Sequence, residues 1–226
     1  VCLTLPDLTE AAKDGTLKEL CCGRTKNTMD TTSSSSNSCG DAIELRVDLL
    51  KSYDANYVYD QLALLRRHMS MEQAIIFTVR TEPEGGRYPR EERAMFELLL
   101  LGGRAGCEIV DVESRWSRGH IQHYLQHLTR AQPHVTVIAS THAVQKPVDH
   151  YSDTGLVKLY EETCRKFIYD DTHCSALVGC LKVVCRAESM GDSSRMHVAA
   201  RTAWNYHVNL CDFNTGIHGI SSSSSS

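Results

Sequence analysis

The feature that most limits how this chain can fold is an alternation. Short runs rich in apolar and β-branched residues are each followed by a longer stretch with helical periodicity. The short runs lie at 1–5, 42–49, 74–81, 107–113, 134–140, 178–185 and 207–213. The helical stretches lie at 57–68, 90–103, 118–131, 155–167 and 192–206, with a shorter helix over 8–20. Consecutive strands joined through a helix must run parallel, because only a crossover connection returns the chain to the same end of the sheet. The pattern therefore predicts an α/β protein. The near-continuous apolar strands predict a sheet covered on both faces.

One run departs from that apolar rule. In Asp41-Ala-Ile-Glu-Leu-Arg-Val-Asp48, residues Glu44, Arg46 and Asp48 share a strand face, while Ile43, Leu45 and Val47 share the other. Three charges on one strand face are costly to bury unless they pair or meet a polar ligand. Taken alone, the pattern fits a solvated edge strand. Other strands carry polar residues at mid-strand or at the strand end too: Arg80 in the third, Asp111 and Glu113 on one face of the fourth, Lys182 inside the apolar run Leu181–Val184. An open doubly wound sheet gathers its polar groups at strand ends beside one switch point. A (β/α)8 TIM-type barrel with a functional mouth accounts better for polar residues inside strands. An eighth strand is not visible before residue 226.

Composition narrows the function classes. The 226-residue chain has a net charge of −4 and scattered Lys and Arg, which argues against a nucleic-acid surface. No apolar run reaches the ~20 residues that span a bilayer, and residues 1–5 are too short for a secretory signal. A soluble cytoplasmic protein is the expectation. The 10 cysteines include no Cys-x-x-Cys, and several, such as Cys107, Cys180 and Cys185, lie in apolar runs, so most read as reduced thiols. His120, His123 and His127 share a helix face, but with no acidic or cysteine partner at ligand spacing they read as a solvated surface rather than a zinc site. Residues 23–40, with Ser33–Ser36, read as a polar insertion, and 168–177 as a smaller one. Residues 221–226 are a serine linker or tail, which leaves 1–220 as a single barrel domain.

The candidate chemistry lies at corresponding ends of successive strands. Arg80 ends the third strand and leads into an acidic loop with Glu84-Gly85-Gly86, His142 follows the fifth, and Lys182 sits in the sixth. A buried lysine must pair or lose its proton. Burial beside a guanidinium such as Arg46 or Arg80 is one way to activate such an amine as a nucleophile. Glu44, Arg46, Arg80, Glu84, Asp111, His142 and Lys182 together supply a nucleophile, an acid/base and ligand anchors.

These motifs carry a resemblance. Glu44–Asp48, Phe77–Thr81 with Glu84–Gly86, Ile109–Glu113, Ser140–His142 and Leu181–Val184 resemble, in order, the strand motifs of type I 3-dehydroquinate dehydratase. The wording is closest to the dehydroquinase domain of the pentafunctional arom polypeptide, whose opening Leu3–Asp7 also resembles. The resemblance implies a (β/α)8 barrel converting 3-dehydroquinate to 3-dehydroshikimate in the shikimate pathway, without metal or organic cofactor. It implies Lys182 as Schiff-base former, His142 as proton shuttle, Glu84 as the group orienting His142, and Glu44, Arg46, Arg80 and Asp111 around the substrate. It also implies fusion to other shikimate-pathway domains and compatibility with a homodimer. Val157-Lys158-Leu159 resembles the family's lysine motif as well. However, Lys158 follows His142 by 16 residues, too few for an intervening helix and strand, whereas Lys182 follows by 40. The family's carboxylate-binding arginine and last strand have no counterpart up to residue 226, where 214–219 keeps only the glycine spacing. That departure keeps open an alternative: a non-catalytic, ligand-sensing relative of the kind found in quinate-pathway repressors.

Overall fold

In the computed structural model, residues 8–13, 15–22, 41–89, 91–170, 173–174 and 177–214 are described. Short helices α1 (Leu8–Lys13) and α2 (Thr16–Cys22) come first. The single helix expected over 8–20 is broken because Gly15 adopts φ 79°, a left-handed conformation that ends one helix and starts the next. Then β1 (Ala42–Arg46), α3 (Ala55–His68), β2 (Ala74–Thr78), α4 (Glu92–Arg104), β3 (Ile109–Glu113), α5 (Arg118–Ala131), β4 (Thr136–Pro147) and α6 (Asp153–Phe167) follow in strict alternation. A small antiparallel pair, β5 (Ile168–Asp170) and β6 (His173–Cys174), falls within the stretch read as the smaller insertion. The chain continues as β7 (Val178–Arg186) and α7 (Met190–Asn214). The expected insertion 23–40 and the serine tail 221–226 lie outside the described residues, as does the strand expected at 1–5.

The main sheet has the order β1-β2-β3-β4-β7, every pair parallel. It curls into half of a barrel wall with the helices outside. One core fills the space between strands and helices. Leu45, Ile75, Phe77, Val110, Val112, Val137 and Ala139 point outward from the sheet onto Val58, Leu62, Leu65, Met95, Leu99, Ile121, Leu125 and Leu128, all buried. Each large side chain so buried contributes roughly 1.5–3 kcal/mol. Caps set the helix starts. The Asp54 carboxylate accepts the Asn56 and Tyr57 N–H groups at the start of α3, and the Ser117 hydroxyl accepts the His120 N–H at the start of α5.

Further expectations about elements are corrected. The strand expected over 42–49 ends at Arg46, and Val47–Leu49 form a 3-10 turn that swings Asp48 inward. The strand expected at 207–213 is instead the last part of α7. No glycine or proline separates it from the helix expected over 192–206, so nothing stops the helix from running on. Strand β4 is longer than expected, running to Pro147 because β7 pairs with it as far as Pro147↔Arg186.

Candidate active site

Alternation along the strands turns Glu44, Arg46, Thr78, Asp111, Glu113, Ser140, His142 and Lys182 to the concave face. The ladder places Thr78 opposite Asp111, Glu113 opposite Ser140, and Ser140 opposite Lys182, so polar groups from four strands meet. The solvated edge-strand reading of β1 fails here: Glu44 is buried and its Oε1 accepts the Thr78 hydroxyl at 2.7 Å.

Arg80, just past β2, is the centre of the cluster. Its side chain is 3 % exposed. One terminal nitrogen donates to Glu113 Oε1 (3.2 Å) and to Ser140 Oγ (3.1 Å) and lies 3.6 Å from Glu84 Oε2. The other lies 2.8 Å from Asp111 Oδ1, without the alignment of a hydrogen bond. Burial works against this guanidinium's charge, but Asp111, Glu113 and Glu84 outweigh it and hold Arg80 more firmly protonated. Burial likewise opposes the Asp111 carboxylate. Arg80, Lys182 and the Ser140 hydroxyl, which donates to Asp111 Oδ1 at 2.5 Å, nevertheless keep its pKa below the usual range. Glu113 goes the other way: burial, and then the Glu84 charge, push it up to about 7.

Lys182 reaches this cluster from β7. Its Nζ donates to Asp111 Oδ2 at 3.0 Å and lies 3.8 Å from Glu44 Oε1, with a third (33 %) of the side chain exposed. The expected guanidinium neighbour is thus replaced by carboxylates, because Asp111 stands between Lys182 and Arg80. Lys158 is exposed on α6. On the neighbouring strand, Glu84 Oε2 accepts the His142 backbone N–H at 3.0 Å and lies 3.1 Å from His142 Nδ1. A carboxylate can only accept, so Nδ1 carries the proton of the neutral ring and Nε2 is left as the proton acceptor.

The loop carrying Glu84 is tightly held. The Thr81 carbonyl accepts the N–H groups of Glu84 (3.0 Å) and Gly86 (2.8 Å), and Pro83 lies inside the 3-10 turn Glu82–Glu84. Gly85 takes φ 83°, and a Cβ on Gly86 would lie 2.0 Å from the Arg80 carbonyl oxygen. Arg46 is engaged in a two-pronged pair with Asp48, both contacts 2.7 Å. Asp48 also accepts the backbone N–H groups of Arg80 (3.3 Å) and Arg87 (3.1 Å), so it ties β1 to this loop. Asp48, Thr81, Glu113 and Ser140 were not among the expected site residues. Alternation puts Glu113 and Ser140 on the right face, but contacts between strands more than 25 residues apart carry no local signature. Among the described residues no group of three His, Cys, Asp or Glu is placed to hold a metal, and His120 pairs with Glu92 at 2.6 Å.

A parallel β/α barrel wall with a lysine among carboxylates, next to a carboxylate-held histidine, defines a barrel domain with an amine and an imidazole on its inner face. Residues 21–226 match the family model for type I 3-dehydroquinase. The chain belongs to the type I 3-dehydroquinase family. Among curated proteins it is similar to the pentafunctional AROM polypeptide of Candida tropicalis, 45 % identical over 74 residues (32 % of this chain). It is also similar to that of Malassezia globosa, 37 % identical over 129 residues (55 % of this chain). The chain spans only 5 % and 8 % of the length of these relatives. Among solved structures, the dehydroquinate dehydratase and shikimate dehydrogenase of S. pombe AroM superposes with TM-score 0.65 at 26 % identity, covering 91 % of this chain and 34 % of that one. The 3-dehydroquinate dehydratase of Geobacillus kaustophilus shares the fold with TM-score 0.66 at 20 % identity, covering 90 % of this chain and 68 % of that one.

Proposed function

We propose that this chain dehydrates 3-dehydroquinate to 3-dehydroshikimate through an imine on Lys182. The observation that carries the reading is the placement of Lys182 and His142 on adjacent strands, each held by its own carboxylate. Lys182 Nζ gives up a proton and adds to the substrate ketone; the two protons its nitrogen sheds in all leave with the ketone oxygen as water, giving an iminium. Asp111 and Glu44 beside Nζ stabilise that cation as they do the ammonium. The iminium draws electrons from the adjacent C–H bond, so His142 Nε2 takes the C2 proton and an enamine forms. The imidazolium, paired with Glu84, returns a proton to the departing C1 hydroxyl, which leaves as water. A second water then hydrolyses the conjugated iminium and frees Lys182. Arg46, whose side chain is 19 % exposed, and Arg80 behind it supply donors for substrate hydroxyls.

Family membership supports turnover over the sensing alternative. The AROM relatives support a setting as one domain, over 1–220, of a larger cytoplasmic shikimate-pathway polypeptide, with homodimerisation as an accompanying proposal. Incubation with 3-dehydroquinate and borohydride, followed by mass spectrometry, tests the reading. The expected result is a reduced adduct on Lys182 that Lys182→Ala abolishes and Lys158→Ala does not. A folded wild-type protein that yields no adduct overturns it.

A further inference from the structure

We propose that Glu113 is a positioning residue for the dehydration: through Thr81 and Arg80 it holds the turn that presents Glu84 to His142. The inference rests on the dehydratase reading of the same site. Glu113 is fully buried at the end of β3, and its side chain bonds to Thr81 and Arg80 rather than to Lys182 or His142. Both its oxygens are spent on the residues just before the turn. Oε1 accepts the Thr81 N–H at 2.8 Å and Arg80 at 3.2 Å, and Oε2 meets the Thr81 hydroxyl at 2.7 Å. Thr81 in turn fixes Glu84 and Gly86 through its carbonyl, and Glu84 fixes His142 through two contacts on one oxygen. The chain of contacts runs from the end of one strand, across the loop, to the base on another strand.

Charge makes the hold sensitive to the proton on Glu113. The groups facing it are Arg80 and Glu84 from the β2 end and its turn, Asp111 on its own strand, and Ser140 on β4, with His142 beyond Glu84. Setting aside the paired Arg46 and Asp48, the carboxyls Glu44, Glu84, Asp111 and Glu113 outnumber the fixed cations Arg80 and Lys182. The surplus leaves room for one shared proton, and the raised value of about 7 for Glu113 agrees with its residence there. When protonated, Glu113 keeps its contact by donating to the Thr81 hydroxyl, which can accept as well as donate. When ionised, it competes with Glu84 for Arg80.

Glu113→Ala removes the hold, whereas Glu113→Gln keeps its shape and removes its charge. Turnover, borohydride trapping and backbone amide exchange of the substrate-free protein are measured for both variants and the wild type. In Glu113→Ala, kcat falls about 10- to 100-fold while KM stays within about threefold and Lys182 is still trapped. In Glu113→Gln most of that kcat returns, and the inflection near pH 7 in the wild-type profile disappears. Exchange at the Thr81 and His142 amides speeds up about tenfold or more in Glu113→Ala and not in Glu113→Gln. A Glu113→Ala kcat within twofold of wild type, a Glu113→Gln profile that keeps the inflection, or unchanged amide exchange in Glu113→Ala overturns the proposal. Should Glu113→Ala fail to fold, the Glu113→Gln profile decides. Should the wild type form no imine, the dehydratase reading falls by itself. The amide exchange pattern then decides whether Glu113 holds the turn.

Discussion

At the scale of single residues, Arg80 is where one substitution strips the most counter-charge. It is shared by Asp111, Glu113 and Glu84, and all four side chains are buried. Arg80→Met leaves those carboxylates facing one another, so we expect a loss of about 3–5 kcal/mol in denaturant unfolding at pH 7. The deficit shrinks as pH falls and the carboxyls take up protons. A deficit that does not change with pH would count against a shared-charge cluster. Glu84→Gln is a gentler change at the histidine end. It keeps an acceptor for the His142 N–H but removes the charge that pairs with an imidazolium. Here kcat is expected to fall about 100-fold, with borohydride trapping on Lys182 intact. Loss of trapping in this variant would place Glu84 on the amine's side of the reaction. The candidate site residues were legible from strand alternation and from the motif order. What joins them was not: the Arg80 network links residues separated by up to 60 positions, and the Arg46–Asp48 pairing depends on a turn where a continuing strand was expected.

Among the elements, the loop after β2 is the most sharply specified. Gly86→Ala would drive a Cβ into the Arg80 carbonyl, a backbone atom that cannot swing aside. The substitution should cost about 1–3 kcal/mol by overpacking and reduce turnover beyond that, because the same loop carries Glu84. The check is to compare stability with kcat for Gly86→Ala and for Gly85→Ala. The latter strains a positive φ of 83° but meets only Val144 at 3.6 Å, an ordinary contact. Equal effects of the two would mean that the close approach to Arg80 does not matter. Element types were readable where a period or a breaker was strong: α5 runs over Arg118–Ala131 as the pattern predicts. They were not readable where the cue depended on packing. Residues 207–213 are as apolar as a strand, and only the absence of a stop signal after the preceding helix marks them as its continuation.

For the molecule as a whole, the cluster sets how stability depends on pH. The Glu113 carboxyl is raised from 4.5 to about 7, so the native state keeps a proton that the unfolded state has lost over that interval. Stability is therefore greatest below the ordinary glutamate range and falls as pH rises through about 7, by roughly 3 kcal/mol from this group. Asp111 is depressed, so its contribution is present above the ordinary aspartate range and is lost in strong acid. Glu113→Gln should therefore unfold at higher denaturant than wild type at pH 8 and near the wild-type midpoint at pH 4. A constant difference across that range would sink the assignment.

The pairing of β4 with β7 carries a consequence for how this domain tolerates change. Ser140 lies opposite Lys182 because the ladder keeps one unbroken register from Ile138↔Cys180 to Ala143↔Cys185, whatever length of chain connects the two strands. A one-residue slip of β7 would turn Lys182 to the outer face and leave the histidine without its amine. Lengthening or trimming the connection after α6 changes nothing that the ladder reads. The region between these two strands is therefore a place where the chain can drift in length while the distance between amine and imidazole stays the same.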